Sequence, residues 1–262
     1  MFVLSTTVPN DLFQAAYFIF TKYAPLFIFG AKNTLIIALS STVIGLVLGL
    51  GVGIIRTLPI GATDNFLKKL IIKALKLMTS IYVEVFRGTP MMVQAVFIYY
   101  SLNGLFSSSR MFAGIFIVSI NTGAYMAEII RSGIQSLDSG QNEAARSLGM
   151  SNFQTMLFII LPQAIRNAFP AIGNEFVVNI KDTSVLNIIG ISELFFQANS
   201  IAGTLYKMKE TFFVVACVYL FLTYSTTLVL KYIEKKMNMT GYDGPRSSTT
   251  PLIIGHFKGD LS

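Results

Sequence analysis

Charge is scarce in this sequence. Charged residues occupy 13% of its 262 positions, about half the share usual in a soluble protein, and apolar residues occupy 53%. So few charges cannot cover the outside of a soluble domain of this size, and much of the surface must therefore face lipid. This composition excludes disorder, a nucleic-acid-binding arm and an ordinary cytosolic enzyme as descriptions of the whole chain.

Cysteine and histidine are almost absent. The one cysteine, Cys217, lies in an apolar run and supports neither a disulfide framework nor a cysteine-rich metal site. The one histidine, His256, lies in a polar C-terminal segment. Because the sequence has no Ser/His/Asp or metal-ligand constellation, we expect no covalent chemistry, no metal site and no cofactor on this chain.

Long runs without charge are present instead. A helix that crosses about 30 Å of hydrocarbon needs about 20 residues. The fourth predicted span is the least apolar, because it contains Arg166 and Glu175. The sequence predicts an all-α integral membrane protein with five spans, over residues 33–55, 88–109, 111–127, 161–180 and 211–230.

The distribution of lysine and arginine predicts the orientation. With the N-terminus outside, the cytoplasmic side carries roughly twice as many of these residues as the outer side, as is typical of membrane proteins. The net charge of +7 then reports sidedness and not a nucleic acid partner. We predict an extracytoplasmic or interfacial segment over 1–32, a transmembrane domain over 33–236 and a flexible cytoplasmic tail over 237–262. Residues 13–30 are expected to form an interfacial helix, with a sixth, tilted span as the alternative.

The longest patterned loop covers residues 136–160 on the predicted cytoplasmic side. Asp138 and Ser151 are each followed three positions later by Gln, which is typical of a helix N-terminus. Gly149 is suited to end a helix in the left-handed conformation. The loop is therefore predicted to form two short helices around a turn. Its residues favour docking to another protein and a simple connector equally.

This loop and its surroundings resemble the permease subunits of ABC importers that carry an EAA loop, in particular the branch for polar amino acids. Five segments match in order and with the family's spacing, between about residues 33 and 236: 82–90 with Gln94, 124–131, 140–145, 161–166 and 179–184. The resemblance implies a five-transmembrane-helix type I ABC importer permease core in the bacterial inner membrane, among membrane lipid. It also implies a second permease chain, identical or homologous, an extracytoplasmic substrate-binding protein or domain, and an amino acid substrate.

The resemblance further implies that the loop is a coupling helix that docks on a cytoplasmic ABC ATPase dimer, which holds the ATP and Mg²⁺. The coupling residues that it implies are Gly140, Glu143, Ala144, Ala145, Gly149, Leu161 and Pro162. In agreement, no G-x-x-x-x-G-K-[ST] motif occurs in this sequence. The glycines at 45, 49, 51 and 53 have no following Lys and are expected to permit close helix packing.

Ionisable residues at membrane depth are costly and usually functional. Glu175 and Asp182 are seven positions apart, which places them within about 20° on one helical face, and Asn179 lies on the same stripe. These acids either bind the ammonium group of a small zwitterion or form structural pairs, for Asp182 with Lys181 or a neighbouring chain. The resemblance favours a substrate site, with Glu175, Asn179, Lys181, Asp182, Thr183 and Ser184 as its residues.

A break is expected in the second helical region, at Arg87-Gly88-Thr89-Pro90. Broken helices at membrane depth line cavities. Glu84 and Arg87 could form a structural salt bridge or act in gating, whereas a structural pair is favoured for Glu128 and Arg131. The predicted pathway and gate residues are Glu84, Arg87, Gly88, Thr89, Pro90 and Gln94.

The predicted function is the transmembrane subunit of an ATP-driven amino acid importer, which forms the pathway and couples it to a separate ATPase by alternating access. The chain itself is expected not to be an enzyme. The alternatives are an ATP-independent channel or ion-coupled carrier for small polar solutes, which needs no docking loop, and a membrane scaffold or sensor, in which the acidic stripe is inert.

Overall fold

The computed structural model describes residues 8–61, 65–106 and 109–239, within which every regular element is a helix. A π-helical segment, Met156–Ile160, joins α7 to α8, and a 3-10 segment, Thr183–Ile189, follows α8. The α-helices are α1 (Leu12–Thr57), α2 (Phe66–Gly88), α3 (Met91–Ser101), α4 (Asn103–Phe106), α5 (Arg110–Gln135), α6 (Ser139–Ser147), α7 (Asn152–Thr155), α8 (Leu161–Asp182), α9 (Leu194–Leu205) and α10 (Met208–Met239). The first three residues of the tail predicted over 237–262 belong to α10, and the remainder lies outside the described residues.

Four helical segments in the described part of the chain are long and apolar enough to cross a membrane: Leu12–Thr57, Arg110–Gln135, Asn152–Ile189 and Met208–Met237. They coincide with four of the five predicted spans. The remaining one, predicted over 88–109, is divided: α2 ends at Gly88 and the short apolar helix α3 covers Met91–Ser101. The all-α membrane class is confirmed, and the expected break lies at the junction of α2 and α3.

The first helix is longer than predicted. The interfacial helix expected over 13–30 and the first span form one continuous helix of 46 residues, which Asp11 caps by accepting hydrogen bonds from two backbone N–H groups. Neither Lys22 nor Pro25 interrupts it. The ammonium of Lys22 lies over the rings of Phe18 and Tyr23, 5.2 and 5.8 Å from their centroids. Contacts with α9 and α10 hold the helix on both sides of the proline.

Close packing between α1 and α5 forms the centre of the fold. Gly45, Gly49 and Gly53 recur every fourth residue and face α5, so that a Cβ on Gly49 would overlap Met126 and lie 2.8 Å from the backbone of Ala127. Small residues at this spacing let two helix backbones approach closely in a membrane, where apolar burial alone does not drive association. The expected role in packing is confirmed for these three glycines. Gly51 faces the other way, with no atom within 4 Å of its would-be Cβ.

The loop after α5 forms the two predicted short helices. Asp138 begins α6 by accepting a hydrogen bond from the N–H of Gly140 at 2.7 Å. Gly149 ends it with φ +82°, and the N–H of Met150 donates to the carbonyl of Ala145, which completes a Schellman cap.

The second short helix runs directly into α8. Ser151 and Gln154 form the predicted capping box, with both reciprocal hydrogen bonds present. Pro162 has no N–H for the usual i−4 bond, and just before it the N–H of Leu161 donates five residues back, to Met156. The wider π-helical turn therefore accommodates Pro162 without a break in the helix. As a result, α6, α7 and α8 follow one another without an extended loop.

The α1–α5 contact generates a stability prediction. Gly49→Ala is expected to lower the free energy of unfolding by about 1–3 kcal/mol, because the added methyl group forces two backbones apart. The measurement is the thermal denaturation temperature of the purified protein in detergent. Gly51→Ala is the matched control, since its methyl group meets nothing. Equal denaturation temperatures for the two variants would contradict this packing.

Candidate functional site

The break between α2 and α3 lies at Gly88, Thr89 and Pro90. Thr89 is extended, with φ −121° and ψ 147°, and Pro90 supplies no N–H at the start of α3. The last carbonyls of α2 therefore have no helical donor. The hydroxyl of Thr89 donates to the carbonyl of Val85 at 2.8 Å and satisfies one of them.

Two buried amides contact further polar groups at the break. Gln94 Nε2 lies 2.8 Å from the carbonyl of Phe86, 2.9 Å from that of Thr89 and 2.8 Å from the Thr89 hydroxyl. Asn121 of α5 donates to Gln94 Oε1 at 2.8 Å. The predicted pathway residue Gln94 thus helps to build the broken helix. Asn121 was not among the residues predicted from the sequence, although an amide in the middle of a charge-free span is a signal of a polar role at membrane depth.

Arg87, in the last turn of α2, contacts an aromatic ring and not the acid one turn earlier. Its guanidinium lies 5.6 Å from the centroid of Tyr125 on α5, within cation–π range. No ion pair joins Arg87 to Glu84 among the residues that the structure describes, and both side chains are exposed. The salt bridge that their spacing allowed is therefore not formed, and their gating role stays a prediction.

Asn179 links three helices. Its Nδ2 donates to the Thr42 hydroxyl of α1 at 2.9 Å, and its Oδ1 accepts from the Thr122 hydroxyl of α5 at 3.1 Å. Thr42 in turn donates to the carbonyl of Ala38 at 2.7 Å. All three side chains are buried. These contacts connect Asn179 with helix packing, and its predicted role towards a substrate stays a prediction.

The two acids of the predicted substrate stripe lie on α8, which remains a regular helix as far as Asp182. Glu175 and Asp182 are half-buried, and their spacing of seven positions on a regular helix places them on the same side of it. Within the described ranges neither carboxylate has a Lys or Arg nitrogen within 4.0 Å, and the alternative of a close Asp182–Lys181 pair is not observed. Lys181 is exposed.

Thr183 and Ser184 begin the 3-10 segment that follows α8. Thr183 is buried and donates to the carbonyl of Ile180 at 3.0 Å, so its hydroxyl serves the helix end. Ser184 is half-buried, one residue further on. The structure therefore places all the predicted substrate residues within one stretch, but only the two acids combine partial exposure with a charge that lacks a close partner in the described chain.

Glu128 pairs with two arginines near the other end of the helices. Arg56, at the end of α1, donates to Glu128 Oε2 at 2.8 Å, and Arg131 donates to Oε1 through two nitrogens. The predicted Glu128–Arg131 pair is confirmed. Arg56 was not included in that prediction, because 72 positions separate it from Glu128 and only the α1–α5 packing brings them together.

A cavity of about 430 Å³ opens between α2, α5 and α8. The side chains of Arg87 and Tyr125 lie on one side of it, and the remaining wall is polar or small in character. That wall consists of Glu128, Ile129, Ser132, Gly133, Ser136, Asn167, Ala168 and Ala171. The cavity is large enough for a small polar solute.

The predicted coupling residues lie at the surface of the α6 region. Glu143 and Ala144 are exposed on α6, whereas Ala145 is buried and anchors the helix. Leu148 and Phe153 are 84% and 74% exposed, which gives this polar loop two uncovered apolar side chains. The other predicted coupling residues bound the helices: Gly140 and Gly149 at the ends of α6, and Leu161 and Pro162 at the start of α8.

This combination of four long apolar helices, a broken fifth crossing and an exposed helix in the loop before α8 is that of a membrane permease core. Residues 69–239 match the family model of the binding-protein-dependent transport system inner membrane component. The chain belongs to this family, and it is an ABC transporter permease subunit, not an enzyme.

Relatives at the sequence level are glutamine permeases. The glutamine transport system permease protein GlnP of Escherichia coli K12 is 36% identical over 218 residues, which cover 82% of this chain and 94% of the relative. The putative glutamine transport system permease protein GlnP of Rickettsia prowazekii is also 36% identical, over 82% of this chain and 96% of the relative. The predicted resemblance to permeases for polar amino acids is confirmed.

Chains in solved structures of ABC transporters are similar to this one in fold. The crystal structure of an amino acid ABC transporter with histidines has a chain that is 38% identical to this one, with a TM-score of 0.71, over 84% of this chain and 98% of that chain. An inward-facing structure of the MetNI methionine ABC transporter has a TM-score of 0.70 at 17% identity, over 82% of this chain and 98% of that chain. The latter likeness shows the shared fold alone.

The amide network at the helix break generates a second prediction. Gln94→Leu is expected to destabilise the protein by about 1–3 kcal/mol, because the carbonyls of Phe86 and Thr89 at the break lose their amide donor. The measurement is the denaturation temperature in detergent. Met92→Leu, at a half-exposed position of the same helix, is the control. If the two variants denature at the same temperature, Gln94 does not support the break.

Proposed function

We propose that this chain forms the translocation pathway of an importer for polar amino acids, with L-glutamine as the first substrate to test. The observation that carries the proposal is the pair Glu175 and Asp182, two half-buried acids on one side of a membrane-spanning helix with no close cation in the described chain. Identity to permeases named for glutamine supports the choice of substrate.

The acids would bind the ammonium group that every amino acid carries. A carboxylate at membrane depth is costly unless a cation or a hydrogen-bond donor compensates it. Because Glu175 and Asp182 repel each other, a cationic group between them relieves both costs. Lys181 and Ser184 lie beside Asp182 and offer donors to the remainder of the solute, whereas the hydroxyl of Thr183 donates to the carbonyl of Ile180.

Uptake would be driven by an ATPase dimer that docks on the loop of α6. Glu143 and Ala144 form an exposed surface there, with the apolar side chains of Leu148 and Phe153 beside it. Because α6, α7 and α8 are joined without an extended loop, a displacement of α6 would move the helix that carries Glu175. The channel and carrier alternatives leave this surface without a partner.

The remaining assembly follows from the same proposal. A second permease chain, identical or homologous, would pair with this one, and an extracytoplasmic binding protein or domain would deliver the amino acid. The chain would lie in a bacterial inner membrane with its N-terminus outside and its C-terminus in the cytoplasm. The excess of Lys and Arg on the cytoplasmic loops supports this orientation.

Replacement of the docking glutamate tests coupling. In the complete importer in proteoliposomes, Glu143→Ala is expected to reduce uptake at least about 10-fold while ATP hydrolysis continues, since the loop loses its charge-assisted contact with the ATPase. Glu234→Ala, at the end of α10, is the control and should leave uptake unchanged. Full uptake by the Glu143→Ala variant would contradict the coupling role.

Neutralisation of the two acids tests the substrate site. Uptake of L-glutamine, L-histidine and L-arginine is measured for wild type, Glu175→Gln and Asp182→Asn. Each substitution is expected to reduce uptake of the preferred amino acid about 10- to 100-fold, because a charged partner of the ammonium is lost.

The control for this series is Glu210→Gln, an acid of α10 that lies 3.7 Å from the ammonium of Lys207, away from the stripe. It should transport as wild type does. If Glu175→Gln and Asp182→Asn both keep full uptake and unaltered selectivity, neither acid belongs to the substrate site.

A further inference from the structure

The cavity between α2, α5 and α8 has one cation that lacks a carboxylate partner. Its two charged lining residues are Arg87 and Glu128. Glu128 is already neutralised by Arg56 and Arg131. In the part of the chain that the structure describes, Arg87 forms no ion pair, and its guanidinium lies over the ring of Tyr125.

The ring of Tyr125 orients this cation without neutralising it. Stacking on an aromatic face holds a guanidinium in place and leaves its N–H donors at the edge available for a planar acceptor. The pair is partly exposed, and its donors are therefore accessible from the cavity. A preorganised guanidinium of this kind is suited to a carboxylate, which it binds through two parallel hydrogen bonds.

The residues of α8 that line the cavity precede Glu175 on the same face of that helix. Ala168 and Ala171 line it from α8, and Glu175 follows them by seven and four positions, so that all three lie on one face of the helix. The charge of Arg87 also acts on Glu175. Arg87 therefore lines the cavity, and Glu175 lies about one helical turn beyond its α8 wall.

We propose that this cavity is a subsite for the α-carboxylate of the transported amino acid, with Arg87 as its receptor. The proposal rests on the proposed function, in which Glu175 receives the ammonium group. A zwitterion would then lie with its ammonium towards Glu175 and its carboxylate towards Arg87. Ser132 and Asn167 supply further hydrogen-bond donors along the cavity wall, whereas the hydroxyl of Ser136 donates to the carbonyl of Gly133. A volume of about 430 Å³ suits a solute of this size.

The orientation of the bound solute would distinguish amino acids from simple amines. Any solute with an ammonium group satisfies the acids, but only one that also carries a carboxylate satisfies Arg87. The subsite therefore selects for the feature that all amino acids share, and it leaves discrimination between their side chains to other residues.

The test compares each amino acid with its α-carboxamide, which keeps the ammonium group but lacks the negative charge. Equilibrium binding is measured on the complete importer without nucleotide and without binding protein, with L-glutamine, L-histidine and L-arginine as probes. Wild type is expected to bind the preferred acid about 10- to 100-fold more tightly than its carboxamide. In Arg87→Gln this ratio should fall to about one, with the affinity for the carboxamide unchanged.

Two further variants make the result specific. Arg166→Gln removes an exposed cation of α8 that does not line the cavity, and it should keep the wild-type ratio. Arg87→Lys keeps the charge but loses the two-pronged geometry, and it should have an intermediate ratio. It also tests the subsite if Arg87→Gln does not fold.

A wild-type ratio in Arg87→Gln, or an equal loss of affinity for acid and carboxamide, would overturn the subsite, because Arg87 would then act only on the structure. A ratio near one in wild type that still imports amino acids would overturn the subsite and leave the proposed function intact. If wild type imports none of the three amino acids, the proposed function fails, and the subsite fails with it.

Discussion

A backbone carbonyl inside hydrocarbon has no water to accept from, and the structure of this permease depends on that constraint. The second crossing is broken at Pro90, which leaves carbonyls of α2 without helical donors. Gln94 supplies the missing donors, and Asn121 of α5 holds Gln94 in place. The break is therefore bound to α5, and Arg87, three residues before Pro90, lines the cavity between α2, α5 and α8.

The same helix, α5, holds the rest of the core together. It packs against the glycines of α1, whose missing side chains allow the two backbones to approach. Its Thr122 donates a hydrogen bond to the side-chain amide of Asn179, which in turn donates to Thr42 of α1. Polar contacts of this kind hold α8 in position while its acidic side remains accessible. Because α8 continues from α7 through the π-helical segment, the proposed docking surface and the proposed substrate site lie on connected elements.

The helical class, the positions of most spans and the caps of the α6 loop could be predicted, since each depends on neighbours in the sequence. Asp138, Gly149 and the Ser151–Gln154 box lie where local pattern places them. The separation of an interfacial helix from the first span was wrong. Lys22 and Pro25 weaken a helix locally, but contacts with α9 and α10, distant in sequence, keep it continuous.

Composition and local pattern were sufficient for the membrane class and the stripe of acids on α8, because these follow from hydropathy and from the period of a helix. Side-chain partners required the folded chain. Arg56 forms an ion pair with Glu128, 72 positions away in the sequence. The guanidinium of Arg87 lies over the ring of Tyr125 and forms no ion pair with the nearby Glu84. Spacing along a helix shows which contacts are possible, but only the packing of α2 and α1 against α5 selects among them.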